Sequence, residues 1–305
     1  QHRIEPPLTD CRGDFEWSTD SRKLLYTRLD ENQRPSTVWC HTIGTQQTDD
    51  RLVYQLEHPG RFIGLGKTSS DAWITIDIHD HQTNQSFLLP ADLDNLCPIA
   101  VTDWIEGLEY ELEHADPYLI IRGNHEHEDF ALYRAPLPTT ETRSNPESWD
   151  TLWIPKKGAL FSDYEVLENH WIIEYSEEGC GRYLIAEPNP AAFEIRQELT
   201  LSTSIHDTHL DPLPGYHRDT IRMRISTPAM PPEVREINLT NGNFKQLKVS
   251  TPPNGHDESN YIVQRSYGIS GDGQRIPLTI VHHRDVTPHP ESPVLLTGYG
   301  AYGMS

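Results

Sequence analysis

The sequence predicts an all-β fold, a β-propeller of four-stranded blades. Three observations carry this. Apolar, β-branched and aromatic runs recur at a nearly constant period. Each period divides into about four short strands separated by turn residues. Twenty-four prolines are spread along 305 residues, which disfavours long helices.

The strongest run of each repeat begins at Lys23 (KLLYTRLD), Ala72 (AWITIDIHD), Tyr118 (YLIIRGNH), His170 (HWIIEYSE) and Thr220 (TIRMRIST). In the first repeat GDFEWST precedes this run, and STVWCHTIG and RLVYQL follow it. The second reads RFIGLGKT, AWITIDIHD, QSFLLPA and PIAVTDW. The third reads LEYELEHADP, YLIIRGNH, FALYRAPL and TLWIP. Segments 159–200 and 201–250 follow the same plan less cleanly. Radial repetition of such sheets protects strand edges, and five blades are expected. After the connector STPPNGHDESN the pattern changes. YIVQRSYGIS and RIPLTIVHHRD flank the turn GDGQ, where Asp272-Gly273 is a hairpin signal. PVLLTGYG then reads as a strand buried on both faces. The expected division is a propeller over 1–255 and an incomplete second domain over 256–305.

Lys and Arg number 25 against 46 Asp and Glu, a formal net charge of −21. That balance argues against nucleic acid, where cations must neutralise phosphates, and against an anionic membrane surface. It favours solubility and would attract a cationic substrate. No run approaches the roughly 18 apolar residues of a membrane span, and no signal peptide is visible. The four cysteines fit no zinc spacing and read as free thiols of a reducing compartment, so a cytoplasmic location is expected. Because the chain begins at Gln1, a preceding segment is expected.

Candidate chemistry is sparse. Gly298, Gly300 and Gly303 form a G-x-G-x-x-G after an apolar run. It lacks the helix and the later acidic residue of a dinucleotide site, and Tyr299 and Tyr302 are bulky beside a pyrophosphate. No G-x-S-x-G occurs; GISGD at Gly268–Asp272 fails at its last position. In NHEHED, Asn124–Asp129, alternate residues His125 and His127 could share a strand face. Their place between two strands reads instead as a polar turn. His79 and His81 are a similar case, and the adjacent His282 and His283 point to opposite faces. No metal and no cofactor is expected. Trp17, Trp73, Trp104 and Trp171 read as blade packing.

The segments LLYTRLDENQRPSTVWCHTIGT, SYGISGDGQRIPLTIVHHRD and PVLLTGYGAYGMS resemble the prolyl oligopeptidase family of serine peptidases, and within it the oligopeptidase B group. The resemblance covers essentially the whole chain. It implies a seven-bladed propeller, about five blades of which are present, followed by the first strands of an α/β-hydrolase domain. It implies hydrolysis of short peptides after Arg or Lys, with the propeller gating access. It also implies that Tyr299 supplies a hydroxyl to the oxyanion hole. Thr297 and Ala301 stand where the family has Tyr and Ser. The catalytic Ser, Asp and His would lie beyond Ser305, so the chain alone is expected to be inactive. Two other readings remain: a non-catalytic propeller that binds a partner, and a five-bladed glycoside hydrolase with paired inner-strand carboxylates.

Overall fold

The computed structural model describes residues 7–189, 192–201 and 205–299. Within them five four-stranded antiparallel sheets follow one another along the chain. Blade 1 holds β1 (Cys11–Trp17), β2 (Lys23–Leu29), β3 (Pro35–Thr42) and β4 (Arg51–Gln55). Blade 2 holds β5 (Phe62–Lys67), β6 (Trp73–His79), β7 (Asn84–Pro90) and β8 (Ile99–Ala100). Blade 3 holds β9 (Tyr110–Ala115), β10 (Tyr118–Gly123), β11 (Ala131–Pro136) and β12 (Asp150–Trp153). Blade 4 holds β13 (Ala159–Val166), β14 (Trp171–Glu177), β15 (Cys180–Ala186) and β16 (Ile195–Glu198). Blade 5 holds β17 (Asp207–Asp211), β18 (Thr220–Ser226), β19 (Glu233–Asn238) and β20 (Phe244–Val249). Each blade is a meander, and the expected propeller of four-stranded blades is present.

Strand alternation explains the packing. Successive side chains on a strand point to opposite faces, so a middle strand serves two neighbours. On β10, Leu119 and Ile121 pack toward blade 2, whereas Ile120 packs toward blade 4. On β14, Trp171 and Ile173 join the blade 3 side, and Ile172 joins blade 5. On β6, Ile74, Ile76 and Ile78 all face blade 1. Four hydrophobic clusters result, one for each successive pair of blades. Among the described residues none of these clusters joins blade 5 to blade 1.

Polar staples fix the blade spacing. The Lys67 ammonium donates to the Trp17 carbonyl at 2.6 Å, from blade 2 to blade 1. Asn84 and Tyr110 exchange two hydrogen bonds of 2.7 Å between blades 2 and 3. The Tyr164 hydroxyl donates to the Ile120 carbonyl at 2.8 Å, tying blade 4 to blade 3. Blade 1 contains a buried polar knot around Asp50, whose side chain is 0% exposed. Its carboxylate meets His41 Nδ1 at 2.7 Å and accepts from Tyr26 Oη at 2.5 Å and Arg28 Nη2 at 3.0 Å. Burial first, then the hydrogen bond to Asp50, push the Tyr26 phenol up to about 12.

Beyond the blades, β21 (Tyr261–Ile269) and β22 (Arg275–His283) form the expected hairpin around Asp272-Gly273. Gly273 takes φ +87°, a conformation that favours glycine. The hairpin rests on the turn between β14 and β15. There Tyr267 Oη donates to Glu178 Oε2 at 2.6 Å, and Arg265 Nη2 donates to Cys180 Sγ at 3.0 Å.

One expectation fails. Pro293–Tyr299 forms no strand, and Val294, Leu295 and Leu296 are 82%, 89% and 82% exposed rather than buried. A strand apolar on both faces needs ladder partners at its edges and layers above and below. The β21–β22 sheet has two strands and offers this run none.

Two stability predictions follow from this packing. Ile120→Ala should cost about 2–5 kcal/mol, because Ile120 is 0% exposed between two blades. Asp50→Ala should cost about 1–3 kcal/mol by leaving the buried His41 Nδ1 and the Tyr26 hydroxyl without their carboxylate partner. Urea denaturation followed by tryptophan fluorescence reads both, and a change under 1 kcal/mol (about a fivefold shift in the folding equilibrium) would contradict either one.

Candidate functional site

The first strands of neighbouring blades approach one another, β1 against β5 and β9 against β13, and form the inner wall. Between blades 2 and 3 this wall opens into a cavity of about 430 Å³. Lys67, Asp77, Glu109, Glu111, Arg122 and Phe130 are among its lining residues. Alternation again sets the chemistry: β6 gives its isoleucines to blade 1, so Thr75 and Asp77 fall on the cavity side. Asp77 accepts from Thr75 Oγ1 at 2.7 Å and from Ser86 Oγ at 2.6 Å. Burial nonetheless raises its pKa above the usual aspartate value.

Carboxylates dominate the adjoining strands. Burial raises Glu111, partly offset by Arg122, whose Nη1 lies 3.6 Å from Glu111 Oε2. Arg122 is itself held by the Phe161 carbonyl at 2.9 Å, and its guanidinium carbon lies 4.0 Å from the Phe130 ring centroid. Burial pushes Glu113 up to about 7, even though Ser69 donates to it from N at 2.7 Å and from Oγ at 2.9 Å. Burial also pushes Glu174 up to about 7, with the Asp163 charge adding to the shift. Asp163 repels Glu111, Glu113 and Glu174 alike. The result is an acidic wall that focuses negative potential on the inner side of blades 3 and 4.

Sequence reasoning missed these acids. Their signal was the alternation of charge within strands, in YELEH and SDYEV, which reads as an ordinary solvated face until the blades are assembled.

Tyr299, the sequence-predicted oxyanion donor, is 62% exposed, and its hydroxyl bonds to none of the described residues. The rest of the glycine pattern, Gly300 to Gly303, lies outside the described residues. His125 and His127 do not form a strand pair, because Asn124–Phe130 is a turn closed by Phe130 N donating to the His127 carbonyl at 2.9 Å. His125 instead meets Glu126 and Glu147. His79 and His81 flank the Phe62 ring, with centroids 5.4 and 6.1 Å away. His283 packs on its register partner Tyr261, while the neighbouring His282 pairs with Ile262.

No hydrolytic triad is assembled among the described residues. Ser70 Oγ lies 2.9 Å from His114 Nδ1, but the other ring nitrogen meets no carboxylate. That contact links the β5–β6 turn to blade 3. His41 has its carboxylate in Asp50, but no serine or cysteine among the described residues hydrogen-bonds to its ring.

The five four-stranded blades and the appended hairpin define a β-propeller with a further β-element at its end. The family profile described as "Prolyl oligopeptidase, N-terminal beta-propeller domain" matches residues 1–250, and the chain belongs to this family. Among curated relatives, dipeptidyl aminopeptidase BI of Pseudoxanthomonas mexicana is 24% identical over 302 residues, covering 98% of this chain and 40% of the relative. Protease 2 of Moraxella lacunata is 23% identical, covering 96% of this chain and 41% of the relative. Among solved structures, oligopeptidase B from Leishmania major superposes with a TM-score of 0.79 at 22% identity, over 91% of this chain and 39% of that one. Oligopeptidase B from Trypanosoma brucei gives 0.80 at 19% identity, over 92% and 40%. These likenesses establish a common fold. The chain spans about 40% of the length of these relatives.

The raised pKa of Glu113 carries a testable sign. Its folded value, about 7, lies above the ordinary 4.5, so between those pH values the unfolded chain releases a proton that the folded chain keeps. This group therefore makes stability fall as pH rises from about 4.5 to about 7, with the full penalty above that window. Glu113→Gln should become progressively more stable relative to wild type across the window, measured by urea denaturation at pH 4.5, 6 and 8. A stability difference that stays flat with pH would refute this.

Proposed function

We propose that this chain is the propeller and the opening segment of the catalytic domain of an oligopeptidase B-like serine peptidase. The intact enzyme cleaves short peptides after Arg or Lys, and the propeller restricts entry to the active site. The observation that carries this reading is the extent of the likeness. The similarity to dipeptidyl aminopeptidase BI covers 98% of the chain and so runs past the propeller match, which ends at residue 250. The acidic inner wall supports a basic substrate, since it attracts cationic peptides and repels acidic ones. Tyr299 follows the apolar run at the edge of the expected catalytic domain. A phenol there would donate to the oxyanion of the tetrahedral intermediate, with the nucleophilic Ser assisted by His and oriented by Asp in the remainder of the protein. The four cysteines form no disulfide, which supports a cytoplasmic location.

The test uses the full-length protein that contains this chain. Chromogenic peptides with Arg, Lys or Pro before the scissile bond are compared, together with a free-amino dipeptide substrate of the type a dipeptidyl aminopeptidase takes. Arg and Lys endopeptidase substrates should be cleaved best. Tyr299→Phe should lower kcat about 100-fold or more with KM little changed, as loss of one oxyanion donor does. Preference for the Pro or free-amino dipeptide substrate would overturn the specificity, and an unchanged kcat in the variant would overturn the role of Tyr299.

A further inference from the structure

The turn between β10 and β11 and the 3₁₀ turn ahead of β12 bring together three side chains that the acidic wall does not use. They are His125, Glu126 and Glu147, whose ligand atoms all lie within 4.8 Å of one another. Glu126 and Glu147 lie 21 positions apart in sequence, so only the folded blade creates the cluster. We propose that it is a binding site for a divalent transition-metal ion of the zinc class.

Ring packing supports one side of the cluster and turn hydrogen bonds the other. The His125 ring meets the Trp149 ring edge-on, with centroids 6.1 Å apart, and lies 6.4 Å from Tyr133. The Tyr133 hydroxyl donates to the His125 carbonyl. Trp149 is 7% exposed, and its indole N–H donates to Ser144 Oγ at 2.8 Å. It packs over Gly123, where a Cβ would come within 3.3 Å of the indole ring. Glu147 sits in a turn capped by Asn145, whose Oδ1 accepts from Glu147 N at 3.2 Å. His127 N donates to the Asn124 carbonyl at 3.3 Å, closing the turn that carries Glu126.

The ligand atoms of the three side chains lack hydrogen-bond and ion-pair partners among the described residues. Among the described residues no lysine or arginine pairs with Glu126 or Glu147, and neither ring nitrogen of His125 is hydrogen-bonded. Two exposed carboxylates thus converge on a half-buried imidazole whose ring nitrogens are left open to a ligand. One imidazole nitrogen and two carboxylate oxygens form a donor set that suits zinc, with ligand distances of about 2.0–2.2 Å and a fourth position left for water. The imidazole disfavours calcium and magnesium, which prefer all-oxygen sites. A bound ion would tie the β10–β11 turn to the β11–β12 connection and so brace the end of blade 3.

The experiment is titration of EDTA-treated, dialysed protein with zinc chloride by calorimetry, with Trp149 emission as a second readout. One saturable site should appear, accompanied by a change in fluorescence and a rise in Tm. His125→Ala and Glu147→Gln should each weaken that site about 10-fold or more, as loss of groups essential to a metal site does. His127→Ala, a neighbour outside the cluster, should leave it intact. Circular dichroism without zinc checks that the variants fold; both altered side chains of the ligand variants are partly or fully exposed, so they should. Absence of saturable binding would overturn the site. Equal affinity and stoichiometry in wild type, His125→Ala and Glu147→Gln would place any bound zinc elsewhere and overturn it equally.

Discussion

The structure depends on one constraint: the middle strands of a blade that lies between two others must be covered on both faces by its neighbours. Leu119, Ile120 and Ile121 are consecutive and each is 0% exposed, yet they belong to two different cores. Trp171, Ile172 and Ile173 repeat the arrangement one blade later. No single blade can bury such a sequence. Stability is therefore shared between neighbours, as in other quasi-one-dimensional repeats. The polar staples, such as Lys67 to the Trp17 carbonyl, cross the same boundaries and set the distance at which the cores close.

The same constraint explains where the charge collects. The first strands lie on the inner side, where neighbouring blades cannot cover them fully. They carry Glu111, Glu113 and Asp163 in place of apolar residues. Close packing of protein atoms around Glu113 and Glu174 resists their ionisation, and the Asp163 charge beside them adds to it. Glu113 and Glu174, both near 7, thus temper the negative field at neutral pH. A cationic group entering the inner space would favour the ionised forms and strengthen the field that drew it in. The wall responds to the charge of what approaches it.

Much of the architecture was legible in sequence because it rests on local pattern. The period near 50 residues, the four runs per period and the Asp272-Gly273 turn each correspond to observed elements. The site was less legible, because it depends on which face of a strand meets which neighbour. Asp77 belongs to the cavity only because Ile74, Ile76 and Ile78 take the other face. The meeting of His125 with Glu147 depends on the conformation of two turns, and no periodicity encodes that. The His41–Asp50 contact likewise joins a strand to the residue after a 3₁₀ turn. The run at Pro293–Tyr299 erred in the opposite sense. Its composition reports the environment a strand requires, and the observed neighbours do not supply that environment.

This contrast separates the two parts of the chain physically. The blades are built from hairpins between sequence neighbours, so most of their contacts form locally and each core needs only the adjacent blade. The β21–β22 hairpin pairs only with itself, and two contacts to the 178–180 turn hold it against blade 4. A two-stranded ribbon is marginal by itself in water, and the exposed Leu295 and Leu296 that follow it would gain about 1.5–3 kcal/mol each on burial. The apolar run and the hairpin thus both favour a larger sheet laid against them. Tyr299 ends that run, so the layer that buries Leu295 and Leu296 would also fix the position of its hydroxyl. On the proposed role of Tyr299, the covering that buries these leucines is also what would turn a solvent-exposed phenol into a positioned donor.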